Sequence, residues 1–117
     1  MRESQQSYKN LIVWQKSMDL VREVYTITRS FPDDERFGST SQMRRAAVSV
    51  PSNIAEESRK GSKDRNRFHQ MAYGSASELE TQVEIAKQLK YCAPQDVRIV
   101  DSLLIEVLKM LNKMTRY

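Results

Sequence analysis

The residues of this 117-residue chain whose types could do chemistry are one histidine, one cysteine and a polar run set into an apolar segment. His69 is the single histidine, so a Ser-His-Asp relay has to be built on it, and a multi-histidine metal site does not fit within one chain. A di-iron bundle centre needs Glu three residues before a histidine, and Asn66 stands there. A helical nuclease signature needs Arg at position 62, 63 or 64, where the chain has Ser62, Lys63 and Asp64. His69 is therefore expected on solvent or at an interface. Cys92 is alone and forms no internal disulfide. These residues predict no enzyme activity, no metal and no cofactor.

Arg45, Ser49, Asn53 and Glu56 recur at near-helical spacing, and Ser75 with Glu78 could face them from a later helix. As structure, Arg45 or Arg44 pairs with Glu56 or Glu78, inside a subunit or across an interface, and fixes register through charge-assisted hydrogen bonds. As chemistry, the Glu and Arg would be catalytic. Arginine does not titrate usefully, and no nucleophile or ligand set accompanies it. Arg44, Arg45, Asn53, Glu56 and Glu78 are accordingly expected to form a structural polar network.

The length is that of one domain, and 39% apolar with 29% charged residues, three Gly and three Pro describe an ordered helical globule rather than a disordered chain. No stretch approaches the roughly 20 apolar residues of a membrane span. The start MRESQQSYKN lacks the apolar core of a secretory signal, which makes the cytoplasm the expected compartment.

Residues 1–9 carry no apolar period and are expected to be a mobile tail before a bundle domain over 10–117. Leu11, Trp14, Met18, Val21, Tyr25 and Thr28 mark the inner row of a first helix, widened by Val13, Leu20, Val24 and Ile27, which stops before Phe31-Pro32. Ser39 and Gln42 suggest a capping box opening a second helix with Met43, Ala47, Val50 and Ile54 inside. Pro51 leaves two possibilities: a kinked helix from about Thr40 to Arg59, or a break with Asn53 as a new N-cap. The apolar row keeps phase across Pro51, which favours the kinked helix. After the Gly61-Ser62 turn, Phe68, Ala72, Ser75, Leu79, Val83, Ala86 and Leu89 share one face of a third helix. Gly74 beside Ser75, Ala76 and Ser77 suggests that another backbone packs close there. Pro94 suits the first position of a fourth helix with Val97, Val100, Leu104, Val107, Leu111 and Met114 inside. The predicted fold is all-α, an up-down-up-down four-helix bundle.

In such a bundle the N-terminus, the turn between helices two and three, and the C-terminus share one end. That end collects Arg2, Lys9, Arg59, Lys60, Lys63, Arg65, Arg67, Lys109, Lys113 and Arg116 against Glu3, Glu56, Glu57, Asp64 and Glu106, a surplus larger than the formal net charge of +4. Arg59, Lys60, Lys63, Arg65 and Arg67 are the candidate contacts to a nucleic-acid backbone, held by counterion release without reading sequence. An ordinary solvated turn is the alternative. Phe68 and Tyr8 are the only aromatics near the cluster.

Leu11-Ile12-Val13-Trp14-Gln15-Lys16, Phe31-Pro32 with Glu35, the run Gln42-Met43-Arg44-Arg45-Ala46-Ala47-Val48-Ser49-Val50-Pro51-Ser52-Asn53-Ile54-Ala55-Glu56, Phe68 and Gly74-Ser75-Ala76-Ser77-Glu78-Leu79-Glu80 together resemble the bacterial four-helix bundle proteins named after reading frames in intervening sequences of 23S ribosomal RNA genes. The resemblance spans nearly the whole chain. Glu57 departs from it, standing where such proteins usually have Gly, which bears on where helix two ends. The resemblance implies a homopentameric barrel with a central channel, similarity to a basic accessory protein of diversity-generating retroelements, and no established enzyme activity. A ribosomal role is not carried over. The function expected is that of a non-enzymatic, oligomeric, nucleic-acid-associated protein; the alternative is a protein-interaction adaptor with no nucleic-acid role.

Overall fold

The computed structural model of the chain describes residues 7–59 and 61–114. Four long helices make up the fold: α1 (Ile12–Thr28), α2 (Ser39–Arg59), α3 (Ser62–Gln88) and α4 (Pro94–Met114), with short 3-10 turns at Ser7–Asn10 and Asp33–Glu35. Each packs against the next in the chain and α1 packs against α4, around one apolar core, an arrangement consistent with a four-helix bundle. No strand occurs among the described residues. None of the helices is long and apolar enough to cross a membrane, among the described residues.

In α1 the core centres on the residues expected to widen the face, together with Thr28 of the expected row. Val13, Ser17, Leu20, Val24, Ile27 and Thr28 are buried, whereas Trp14 and Val21 are half-buried and Leu11 and Tyr25 exposed. Both rows are periodic. The inner one is almost purely aliphatic, and its polar Ser17 is satisfied by donating to the Trp14 carbonyl at 2.7 Å. The rejected row carries the aromatic side chains, whose polar atoms favour a half-exposed position.

Helix α2 starts where the capping box was expected, but by a different device. Ser39 N–H donates to Glu35 Oε1 at 3.0 Å, and the first helical carbonyl is that of Gly38, which accepts from Gln42 N–H at 2.9 Å. The cap is thus supplied by the acidic 3-10 turn preceding the helix. The helix is continuous through Pro51, which is buried, and Met43, Ala47, Val50 and Ile54 are all buried as the in-phase row requires. It also runs past Glu57 to Arg59, so the Glu that departs from the family pattern does not end it.

Helix α3 corrects the expectation for Gly74. A Cβ placed there meets nothing within 4 Å, and the close approach is made by Ala72 and Ala76, both fully buried. Leu89 is exposed rather than inside. The helix closes with Tyr91 N–H on the Ala86 carbonyl and Lys90 N–H on Lys87, with Lys90 at φ 59°. This is the position where glycine avoids the Cβ penalty of a left-handed backbone. Gly74→Ala and Lys90→Gly are each expected to stabilise the fold, by about 0.5–1 kcal/mol. Urea midpoints of the two variants check this.

Lys87 ties α3 to α4, its ammonium lying 2.7 Å from both Glu84 and Asp101. These hydrogen bonds, Asp101 first, raise its pKa above the ordinary lysine value. Burial, then Glu35, pushes the Tyr91 hydroxyl up; the hydroxyl donates to Glu35 at 3.3 Å while its ring packs on Phe31.

Candidate functional site

Two contacts bring the basic segments together. Arg59, at the end of α2, lies over the Tyr8 ring at 5.1 Å and donates to its hydroxyl at 3.4 Å. Tyr8 in turn packs edge-on against Trp14. The 3-10 turn at Ser7–Asn10 is therefore docked on α1 and α2; the first six residues of the expected tail over 1–9 lie outside the described ones. The second contact joins α3 to the end of α4, where the His69 ring meets the carbonyl of Leu111.

Around these contacts Arg59, Lys63, Arg65 and Arg67 are exposed, as are Lys109 and Lys113 on α4. Arg67 lies over the Phe68 ring at 4.5 Å and within 3.8 Å of Asp64. Lys60, Arg2 and Arg116 fall outside the described residues. Exposed guanidinium and ammonium groups beside aromatic edges can hold phosphate oxygens and offer no base-specific geometry.

His69 was expected on solvent or at an interface and is instead buried within the chain, 2% exposed, next to Glu57 at 5%. Its Nδ1 lies 3.0 and 3.1 Å from the two carboxyl oxygens of Glu57, and its Nε2 lies 2.7 Å from the Leu111 carbonyl oxygen. Nε2 must carry a hydrogen, because a carbonyl only accepts. Nδ1 then either donates to a carboxylate or accepts from a carboxylic acid. Both arrangements are neutral overall. The sequence signal existed in part: Glu57 breaks the family pattern and His69 lies on the same side of α3 as Ala72, but no periodicity links two residues across a turn.

Within one chain, and among the described residues, Arg44 and Arg45 make no ion pair with Glu56 or Glu78. Arg45 is exposed, and along one helix positions 45 and 56 are separated by roughly 16 Å. Glu78 is exposed and accepts from Gln82. Arg44 instead crosses to α1, donating from Nε to Thr28 Oγ1 at 2.8 Å and lying over the Tyr25 ring at 4.4 Å. The stripe is nevertheless partly real: Ser49 Oγ meets Ser75 Oγ at 2.8 Å, and Asn53 donates to the Ser49 carbonyl and hydroxyl. Beside Arg44 an open groove is lined by Tyr25, Arg36, Phe37, Arg45 and Val48, and no carboxylate lines it.

No group of three or more His, Cys, Asp or Glu side chains could hold a metal ion, among the described residues. Burial, then Asp96, raises the Cys92 thiol above its ordinary value, the reverse of an activated nucleophile.

Fold and site together define a small all-α protein of four helices. The family model for the 23S rRNA-intervening sequence protein matches residues 9–113, and the chain belongs to that family. Its fold is similar to the crystal structure of a protein of unknown function from the S23 ribosomal protein family of Bacteroides thetaiotaomicron VPI-5482, with a TM-score of 0.80 at 19% identity, covering 91% of this chain and 100% of that one. No curated protein matches the sequence. Neither the family nor this neighbour carries an indication of catalysis.

Proposed function

We propose that the protein is a non-enzymatic homo-oligomer, acting in the cytoplasm, that holds a nucleic-acid backbone on the basic end of an up-down-up-down bundle. The observation that carries this is the convergence of Arg59, of Lys63, Arg65 and Arg67, and of Lys109 and Lys113, from three different helix ends, around the Tyr8–Arg59 and His69–Leu111 contacts. Pairings of 57 with 69, 49 with 75, 87 with 101 and 16 with 106 support alternating helix directions. Exposed Ile12, Met71, Ile99 and Ile105 support association of copies, and the family resemblance supports a pentamer. Association would multiply the basic ends, and phosphate binding grows with the number of counterions released.

A second reading, a protein-interaction adaptor, is favoured by the carboxylate-free groove with Arg36, Arg45 and an 87% exposed Phe37, which suits an acidic protein partner. Electrophoretic shifts with mixed-sequence single- and double-stranded RNA and DNA separate the two. The wild type is expected to retain nucleic acid at low salt, with little sequence preference and a steep loss as salt rises. Reversing Arg59, Lys60, Lys63, Arg65 and Arg67 to Glu is expected to abolish retention while the fold persists, since the described side chains among them are outside the core. Absence of retention by the wild type leaves the adaptor; equal retention by the variant moves the site elsewhere.

A further inference from the structure

We propose that Glu57 and His69 form a latch that positions the last turns of α4 in the basic end, His69 being the positioning residue. Its consequence for phosphate holding rests on the function proposed above; the latch itself does not. Leu111 lies near the end of α4, and its carbonyl meets His69 Nε2, from a residue 42 positions away, at 2.7 Å. Glu57 holds the ring in that orientation with both carboxyl oxygens, from a third helix segment. All three residues are buried, so water is a poor substitute for the ring. Lys109 and Lys113 lie two residues either side of Leu111 and are exposed. Where this turn docks therefore sets where their charges stand relative to Arg65 and Arg67.

The hydrogen count tells which substitutions preserve the latch. A glutamine at 57 can donate its amide hydrogen to Nδ1 while Nε2–H stays on Leu111, so Glu57→Gln keeps it. Leucine at 69 keeps nothing. The test is amide hydrogen exchange of the full chain, free of nucleic acid, together with the salt dependence of binding to mixed-sequence single-stranded RNA. In His69→Leu, amides of residues 110–114 are expected to exchange about tenfold faster or more while those of residues 97–104 keep their protection. The slope of log affinity against log salt is expected to fall by about 1–2, as Lys109 and Lys113 leave the site. Glu57→Gln is expected to keep both at wild-type values. If His69→Leu does not fold, His69→Asn, which keeps a donor but not the reach, is read in the same way. Unchanged exchange at residues 110–114, or an equal rise along the whole chain, overturns the latch. A localised rise in a protein whose wild type binds no RNA upholds the latch and overturns the phosphate-holding end.

Discussion

Glu57→Ala is expected to lower the unfolding free energy by about 3 kcal/mol, a large effect for a side chain outside the apolar core. Three costs add. The His69 ring loses the acceptor or donor that faces Nδ1, in a site 2% exposed where water cannot easily replace it. The void left by one methylene and the carboxyl is lined by atoms that lose their contacts. The ring is also freed to rotate away from the Leu111 carbonyl, weakening a second hydrogen bond. Urea unfolding reads the loss as a midpoint lower by roughly 1–3 M, given typical slopes for small domains. Glu57→Gln, which can still pair with Nδ1, is expected to cost less than about 1 kcal/mol. A loss below about 0.5 kcal/mol in the alanine variant would mean that the carboxyl is solvated rather than locked to the ring.

That site marks the boundary of what periodicity can reveal. The α2 row Met43, Ala47, Val50, Ile54 and the α4 row Val97, Val100, Leu104, Val107, Leu111 are buried as their spacing requires. The turn at Gly61 and the start at Pro94 follow from backbone chemistry that few residues share. In α1 two faces are apolar, and packing chose between them by a criterion that spacing does not contain, namely which side chains can do without water. Gly74 misled because a small residue in a helix is equally compatible with close packing and with open solvent. The Ser49–Ser75 contact was legible since both hydroxyls sit on faces that must meet if α2 and α3 pack. The pairing of Glu57 with His69 was not, because each residue alone reads as polar and exposed, and burial becomes tolerable only when both are present.

Arg44 and Arg45 are adjacent in sequence and are expected to behave as opposites. Arg44→Ala should cost about 1–2 kcal/mol: it removes a charge-assisted hydrogen bond to the buried Thr28 hydroxyl and the stacking of the guanidinium on Tyr25. Thr28 still donates to the Val24 carbonyl, which keeps the cost from rising further. Arg44→Lys should not recover it, because an ammonium lacks the planar Nε donor and the flat face that meets the ring. Arg45→Ala should leave the unfolding free energy of the chain within about 0.5 kcal/mol, since the side chain is exposed and has no ion pair among the described residues. Its expected effect is on assembly. Arg45 lies one turn from Val48, 42% exposed, on the rim of a groove without carboxylates, so a carboxylate brought by a second copy would find a cation there without a competing partner. Sedimentation of the wild type is expected to return a multiple of 13.6 kDa, and Arg45→Ala is expected to shift it toward that mass. A wild type that sediments at 13.6 kDa rules out assembly, and an unchanged assembled mass in Arg45→Ala places the residue on a solvated face.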